Sequence, residues 1–155
     1  MLMRRAGIKG LPTHRYRRPL HDTATAGDLV NREFARGAPD LLWVTDITEH
    51  PTREGKVYCA VVLDSFSRRV VGWSIDASQT SALVTNALSM AISSRQPDAT
   101  VIHSDHGCNL RPGPSPSARA SGLVPSMGTI GDCYDNGMME SFWGRMQTEL
   151  LNRKR

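Results

Sequence analysis

Three apolar segments with β-strand character follow one another in the first half of the chain, and only short connections separate them. The predicted strands are 41–49, 57–64 and 69–75. The connections are rich in Pro, Gly, Ser and charged residues, which break strands. A parallel neighbour would need a crossover of a dozen or more residues, so strands joined this closely pair antiparallel. The sequence therefore predicts a three-stranded antiparallel meander.

After the meander the hydrophobic period changes from two to about 3.6 residues, as in an amphipathic helix. Thr80 or Ser81 is the predicted N-cap, and Arg95, just before Pro97, marks the end. The helix leads into a short apolar run at 100–104, which becomes a parallel neighbour of the meander. The predicted fold class is therefore α/β: a mixed sheet with flanking helices. The apolar helix face is Leu83, Val84, Ala87, Leu88, Ala91 and Ile92.

The chain divides by composition into an arm and one domain. Residues 1–39 are rich in Arg, Gly, Pro and Thr and show no sustained period, so we expect a basic arm or linker of which little packs. Residues 40–155 form the predicted domain, because 155 residues suffice for one core and not for two. No stretch reaches the roughly 20 apolar residues that cross a bilayer. We expect a cytoplasmic protein without a membrane partner.

The formal net charge of +4 comes from the arm, since residues 1–40 hold eight basic side chains against four acidic ones. A basic segment beside a neutral body suits nucleic acid, because phosphate contacts release counterions. A solvated, disordered tail is the alternative interpretation of the same charges. Candidate DNA contacts in the arm are Arg4, Arg5, Lys9, Arg15, Arg17 and Arg18.

Three acidic residues are the candidate metal ligands. Asp46 lies in an apolar strand, Asp105 follows the run 100–104, and Glu140 lies in a predicted helix at about 135–151. Carboxylates on rigid elements are the hard oxygen ligands that Mg²⁺ or Mn²⁺ prefers. An acid inside an apolar strand, such as Asp46, is costly without a cation.

Other polar residues favour structural roles. An Asp beside a turn is usually a cap or a solvated group, and this is our interpretation of Asp64, Asp132 and Asp135. A zinc cluster is disfavoured, because no second cluster completes four ligands. Its candidate ligands are His103, His106 and Cys108.

Four motifs then stand in order along the chain: WVTDIT at 43–48, VVLDSFSRRVVGWS at 61–74, HSDHG at 103–107 and GDCYDNGMMESFW at 131–143. In these motifs the chain resembles the catalytic core of insertion-sequence transposases related to retroviral integrases, the DDE group with a ribonuclease H-like fold. The resemblance implies that Asp46, Asp105 and Glu140 bind two metal ions for DNA nicking and strand transfer. Asn136 would support the site or contact DNA, and Arg145 could contact phosphate. The implied partner is DNA, at transposon ends and target, and self-association is left open.

The chain departs from the family pattern at 108–118, where three prolines and a glycine fall within five residues and forbid a regular helix. Glu140 follows Asp105 by 35 residues, one fewer than the pattern usually gives. Two compensating frameshifts are our hypothesis for both anomalies. We also expect a truncated copy with impaired transposition. A non-catalytic DNA-binding remnant and a ribonuclease H-like nuclease are the alternative functions.

Overall fold

The computed structural model describes residues 27–104, 121–128 and 137–151, and its centre is a five-stranded mixed sheet. The spatial order is β3-β2-β1-β4-β5. β1 pairs antiparallel with β2 and β2 with β3, whereas β4 lies parallel to β1 and β5 parallel to β4. This arrangement confirms the predicted mixed sheet. The strands are β1 Leu42–Thr52, β2 Gly55–Asp64, β3 Val70–Asp76, β4 Thr100–Ser104 and β5 Leu123–Met127.

Two strand details differ from the prediction. β1 continues through Pro51 and Thr52 instead of ending before them, because this end of the strand pairs with β2 alone. An unpaired edge tolerates a proline. The fifth strand, β5, was not predicted: it is only five residues long and contains Pro125, so its sequence carries a weak strand signal.

Two helices cover the sheet in the described part of the chain. α1, Ser81–Arg95, begins as predicted after Thr80, whose hydroxyl accepts the backbone N–H of Leu83, and Gln96 ends it in the left-handed conformation. α2, Gly137–Met146, lies inside the predicted last helix and continues as one π-helical turn, Gln147–Leu151. No helix in the described segments is long and apolar enough to span a membrane.

The helices divide the core into two layers, one on each face of the sheet. Alternate residues of β1 point to opposite faces, so that Trp43 packs on the α1 side while Leu42 and Val44 pack on the α2 side. Burial on both faces explains the continuous apolar runs at 42–44 of β1 and 60–63 of β2. The α2 layer contains Val30, Leu42, Val44, Val61, Leu63, Met138 and Met139.

Part of the predicted arm packs into this second layer. Val30 is 2% exposed, and the backbone N–H of Leu29 donates to the Ser126 hydroxyl over 2.9 Å. We expected little of the stretch before residue 40 to pack, and Val30 is an exception to that expectation. A single buried valine forms no periodic hydrophobic pattern, so sequence analysis could not detect its packing. The division at residue 39 stays a prediction, and residues 1–26 lie outside the described part.

Gly72 lets α1 lie directly against β3. A Cβ atom at this position would stand 2.1 Å from the carbonyl oxygen of Ala87 and 2.8 Å from the backbone nitrogen of Ala91. We expect Gly72→Ala to lower the free energy of unfolding by about 2 kcal/mol, because backbone must move to admit the methyl group. Urea unfolding measures the change.

The matched control is Gly144→Ala on α2, where a Cβ would meet nothing within 4 Å. Alanine is the better helix former, so this variant should gain about 0.5–1 kcal/mol. Equal effects of the two substitutions would contradict the close packing of α1 on β3.

Candidate active site

Asp46 lies on β1 at the point where the pairing of β1 with β4 ends. The last partners in that register are Thr45 and Ser104. Asp46 pairs with Val61 of β2, and both residues belong to the sheet face that α2 covers. The Asp46 side chain is half-buried. A carboxylate at this depth needs a polar partner or a cation.

Trp143 of α2 provides a polar partner. Its indole Nε1–H donates to Oδ2 of Asp46 over 2.9 Å. The ring also meets Phe142 edge to face, with 5.0 Å between the ring centroids. Met138 and Met139 anchor the beginning of α2 in the core. The helix is thus held against β1 by apolar packing at one end and by a charge-assisted hydrogen bond one turn later.

Glu140 lies on α2 three residues before Trp143 and is exposed. Residues three apart are neighbours on a helix surface, with about 5–6 Å between their Cβ atoms. The Trp143 hydrogen bond therefore brings the helix segment that carries Glu140 to the strand that carries Asp46. These residues are 94 positions apart in the sequence.

The third predicted ligand, Asp105, lies outside the described residues, as does Asn136. Ser104, which directly precedes Asp105, is the register partner of Thr45, which directly precedes Asp46. Within the segments that the structure describes, no three His, Cys, Asp or Glu side chains form a metal-binding group. The ligand assignment therefore stays a prediction for all three acids.

The contacts of His103 are typical of a residue with a structural role. It is 2% exposed, its Nδ1 lies 3.0 Å from the Ser126 hydroxyl, and its ring meets Phe34 edge to face. These contacts tie β4 to β5 and to the segment before β1. His106 and Cys108, the other residues of the disfavoured zinc cluster, lie outside the described part. Burial raises the pKa of the Cys59 thiol, which disfavours the thiolate that binds metals.

Asp64 is a turn cap, as predicted, but it is not solvated. Its side chain is fully buried and accepts the backbone N–H groups of Asp40 and Ser67, each over 2.9 Å, and also the Ser67 hydroxyl. Asp40 in turn accepts the indole N–H of Trp43 and pairs with Arg95 at 3.0 Å. This network fastens the end of α1 to the start of β1.

The candidate DNA contacts are only partly described. Arg145 lies exposed on α2, five residues after Glu140 and therefore on a different side of the helix. The six basic residues of the arm lie outside the described part. Sequence analysis did not detect the hydrogen bond from Trp143 to Asp46. The available signal was its position three residues after Glu140 on a predicted helix.

Comparison with known proteins gives the class. The family model of the integrase core domain matches residues 36–111, a region that contains Asp46 and Asp105 and ends before Glu140. The transposase for insertion sequence element IS629 of Shigella sonnei is 40% identical over 130 residues, which cover 83% of this chain and 44% of the relative. The transposase for IS904 of Lactococcus lactis is 37% identical over 127 residues, 81% of this chain and 50% of the relative. The chain thus spans about half the length of these relatives.

Solved structures agree at the level of the fold. The intasome of simian T-cell lymphotropic virus, solved with a PP2A regulatory subunit, matches with a TM-score of 0.62 at 17% identity, over 89% of this chain and 50% of that one. The HTLV-2 integrase catalytic core in complex with magnesium matches with a TM-score of 0.53 at 20% identity, over 75% and 77%. The ribonuclease H-like fold is confirmed. Together the comparisons support an integrase core domain of the insertion-sequence transposase type.

Proposed function

We propose that this chain is the catalytic part of a transposase that nicks DNA and joins DNA strands by phosphoryl transfer. Asp46, Asp105 and Glu140 are its metal ligands. The observation that carries the proposal is the hydrogen bond from Trp143 to Asp46, because it brings the Glu140 helix to the Asp46 strand. The relatives that share this core are transposases, which supports the same chemistry for the chain.

The residues suit Mg²⁺ or Mn²⁺. Asp46 and Glu140 offer carboxylate oxygens, and such hard ligands select these cations over zinc or copper. Asp46 is half-buried and Glu140 is exposed, so the site combines a fixed ligand with one open to solvent and substrate. The integrase core with the same fold was solved with magnesium.

Asp105 completes the proposed set through covalent continuity. Its predecessor Ser104 lies in register with Thr45, and consecutive Cα atoms are only about 3.8 Å apart. The backbone of β4 thus ends beside Thr45, the residue that precedes Asp46, and the next residue in the sequence is Asp105. Bound divalent ions supply activation of the attacking oxygen and charge neutralisation at the leaving oxygen. The protein's own part is to hold three acids on separate elements with Trp143 fixing one of them.

The partner is DNA, and the arm is the proposed site of sequence-independent contacts through Arg4, Arg5, Lys9, Arg15, Arg17 and Arg18. Arg145 is exposed and available to a phosphate. Self-association belongs to the proposal, since integrase cores of this fold were solved in dimeric and trimeric forms. The proposed location of a protein that acts on DNA in this way is the cytoplasm.

We also propose that this copy is impaired. The proline-rich stretch 108–118 directly follows the Asp105 motif, and a site displaced by about 1 Å loses on the order of 10²-fold in rate. The stretch lies outside the described residues. A nicking rate equal to that of an intact relative would contradict this part of the proposal.

The test is cleavage of matched substrates by the purified chain with Mn²⁺. We expect the chain to nick duplex DNA that carries the ends of its element and to leave an RNA–DNA hybrid of the same sequence intact. Nicking should stop with a chelator and return with added Mn²⁺. Cleavage of the RNA strand would favour a nuclease of the ribonuclease H type, and salt-sensitive DNA binding without any nicking would favour a non-catalytic remnant.

A further inference from the structure

We propose that Trp143 is a positioning residue for metal binding. Its indole N–H fixes the Asp46 carboxylate and at the same time holds the Glu140 helix against β1. The inference rests on the proposed function, because it concerns the same site. It adds a residue that is not one of the three acids and whose part in that site is to orient a ligand.

The contact has the geometry of a strong hydrogen bond. Nε1 of Trp143 lies 2.9 Å from Oδ2 of Asp46, and the indole N–H can only donate. A carboxylate offers about four acceptor positions on its two oxygens, so one N–H donor is compatible with a cation on the same group. The donor therefore sets the orientation of the carboxylate without excluding its use as a ligand.

The indole is itself held in place. Its ring packs edge to face on Phe142 and is half-buried, while Met138 and Met139 fix the preceding turn of α2 in the core. The packing of the ring against Phe142 and the core thus restricts the direction of its N–H bond. Groups that orient a ligand in this way typically change metal affinity by about 10–100-fold when they are removed.

The same hydrogen bond couples the two described acids. Glu140 lies one helical turn before Trp143, so a shift of Trp143 away from β1 also moves the Glu140 backbone. A phenylalanine at position 143 could fill the same space but has no N–H to donate. The hydrogen bond, and not only the aromatic volume, is therefore the feature under test.

The experiment is a Mn²⁺ titration, followed by electron paramagnetic resonance, of the unmodified chain and three variants. Trp143→Phe should weaken Mn²⁺ binding about tenfold while the circular dichroism spectrum is retained. The matched control is Trp73→Phe on β3, a half-exposed tryptophan outside the site, which should bind Mn²⁺ like the unmodified chain. Asp46→Asn should bind more weakly than Trp143→Phe, because it removes a charged ligand.

A double variant separates positioning from general loosening of the fold. In the Asp46→Asn background, Trp143→Phe should change Mn²⁺ affinity by less than about twofold, because the group that Trp143 orients is already lost. Additive losses would overturn the inference, and so would an equal loss in Trp73→Phe. If Trp143→Phe disturbs the fold, benzothienylalanine at position 143 repeats the test, since it keeps the ring size and removes only the N–H.

The outcomes distinguish the inference from the proposed function. Equal Mn²⁺ affinity in the unmodified chain and Trp143→Phe would overturn the positioning role and leave the metal site standing. Failure of the unmodified chain to bind Mn²⁺ at millimolar concentration would overturn both.

Discussion

Glu140→Gln should reduce the rate of Mn²⁺-dependent DNA nicking by on the order of 10³-fold. A bound cation contributes several kcal/mol to the stabilisation of charge in the transition state, and each 1.36 kcal/mol is about a factor of ten in rate. Glutamine keeps the size of the side chain and removes the charge that would bind the cation in the proposed site. The measurement is the single-turnover rate on DNA that carries the ends of the element.

The matched control for this substitution is Glu149→Gln. Glu149 is also exposed and lies on the π-helical turn that continues α2, so the same chemical change occurs on the same segment away from Asp46. We expect its nicking rate to stay within about twofold of that of the unmodified chain, because substitutions of exposed residues outside a functional site usually have small effects. A similar loss in both variants, or full activity in Glu140→Gln, would contradict the assignment of Glu140.

Asp64→Ala should lower the free energy of unfolding by about 3 kcal/mol, because two backbone donors and a hydroxyl lose a carboxylate acceptor that is fully buried. The affected N–H groups belong to Asp40 and Ser67. The substitution should also weaken the contact between β1 and α1, since Asp40 accepts the indole N–H of Trp43 and pairs with Arg95. Urea unfolding measures the change, and retained Mn²⁺ binding in the folded protein would separate this structural role from that of Asp46.

Asp76→Ala is the control for Asp64→Ala. Asp76 makes the same kind of contact, accepting the backbone N–H of Ser78 over 3.0 Å and its hydroxyl over 3.2 Å, but it is exposed. Water can replace an exposed acceptor, so the cost should be about 0.5 kcal/mol. If both variants lost the same stability, burial would not be the reason for the importance of Asp64.

The meander and α1 could be predicted because local signals agree there with tertiary structure. Short connections force β1, β2 and β3 to pair antiparallel. Thr80 caps the start of α1, and Pro97 follows shortly after its end. β5 could not be predicted, since five residues with a central proline become a strand only through pairing with β4. The packing of Val30 is likewise a tertiary effect, because it fills a gap that α2 and the sheet create.

The candidate site shows the same division. Asp46 was recognisable because a carboxylate in an apolar strand is costly without a partner. The hydrogen bond from Trp143 to Asp46 could not be recognised from the sequence, because it joins residues 97 positions apart and depends on how α2 lies on β1. Asp64 was recognised as a cap, yet its contact with Asp40 joins the end of β2 to the residues just before β1, 24 positions away in the sequence. In these cases the residue type indicated the chemical role of the side chain, whereas its burial and hydrogen-bond partners depend on tertiary packing.

The most direct test of the metal site is a crystal structure of the chain with Mn²⁺ and a DNA end, measured with anomalous scattering at the manganese edge. We predict two peaks about 3.5–4 Å apart, bounded by the carboxylates of Asp46, Asp105 and Glu140. Peaks bound elsewhere, or a Glu140 side chain remote from both aspartates in the complex with metal and DNA, would contradict the account.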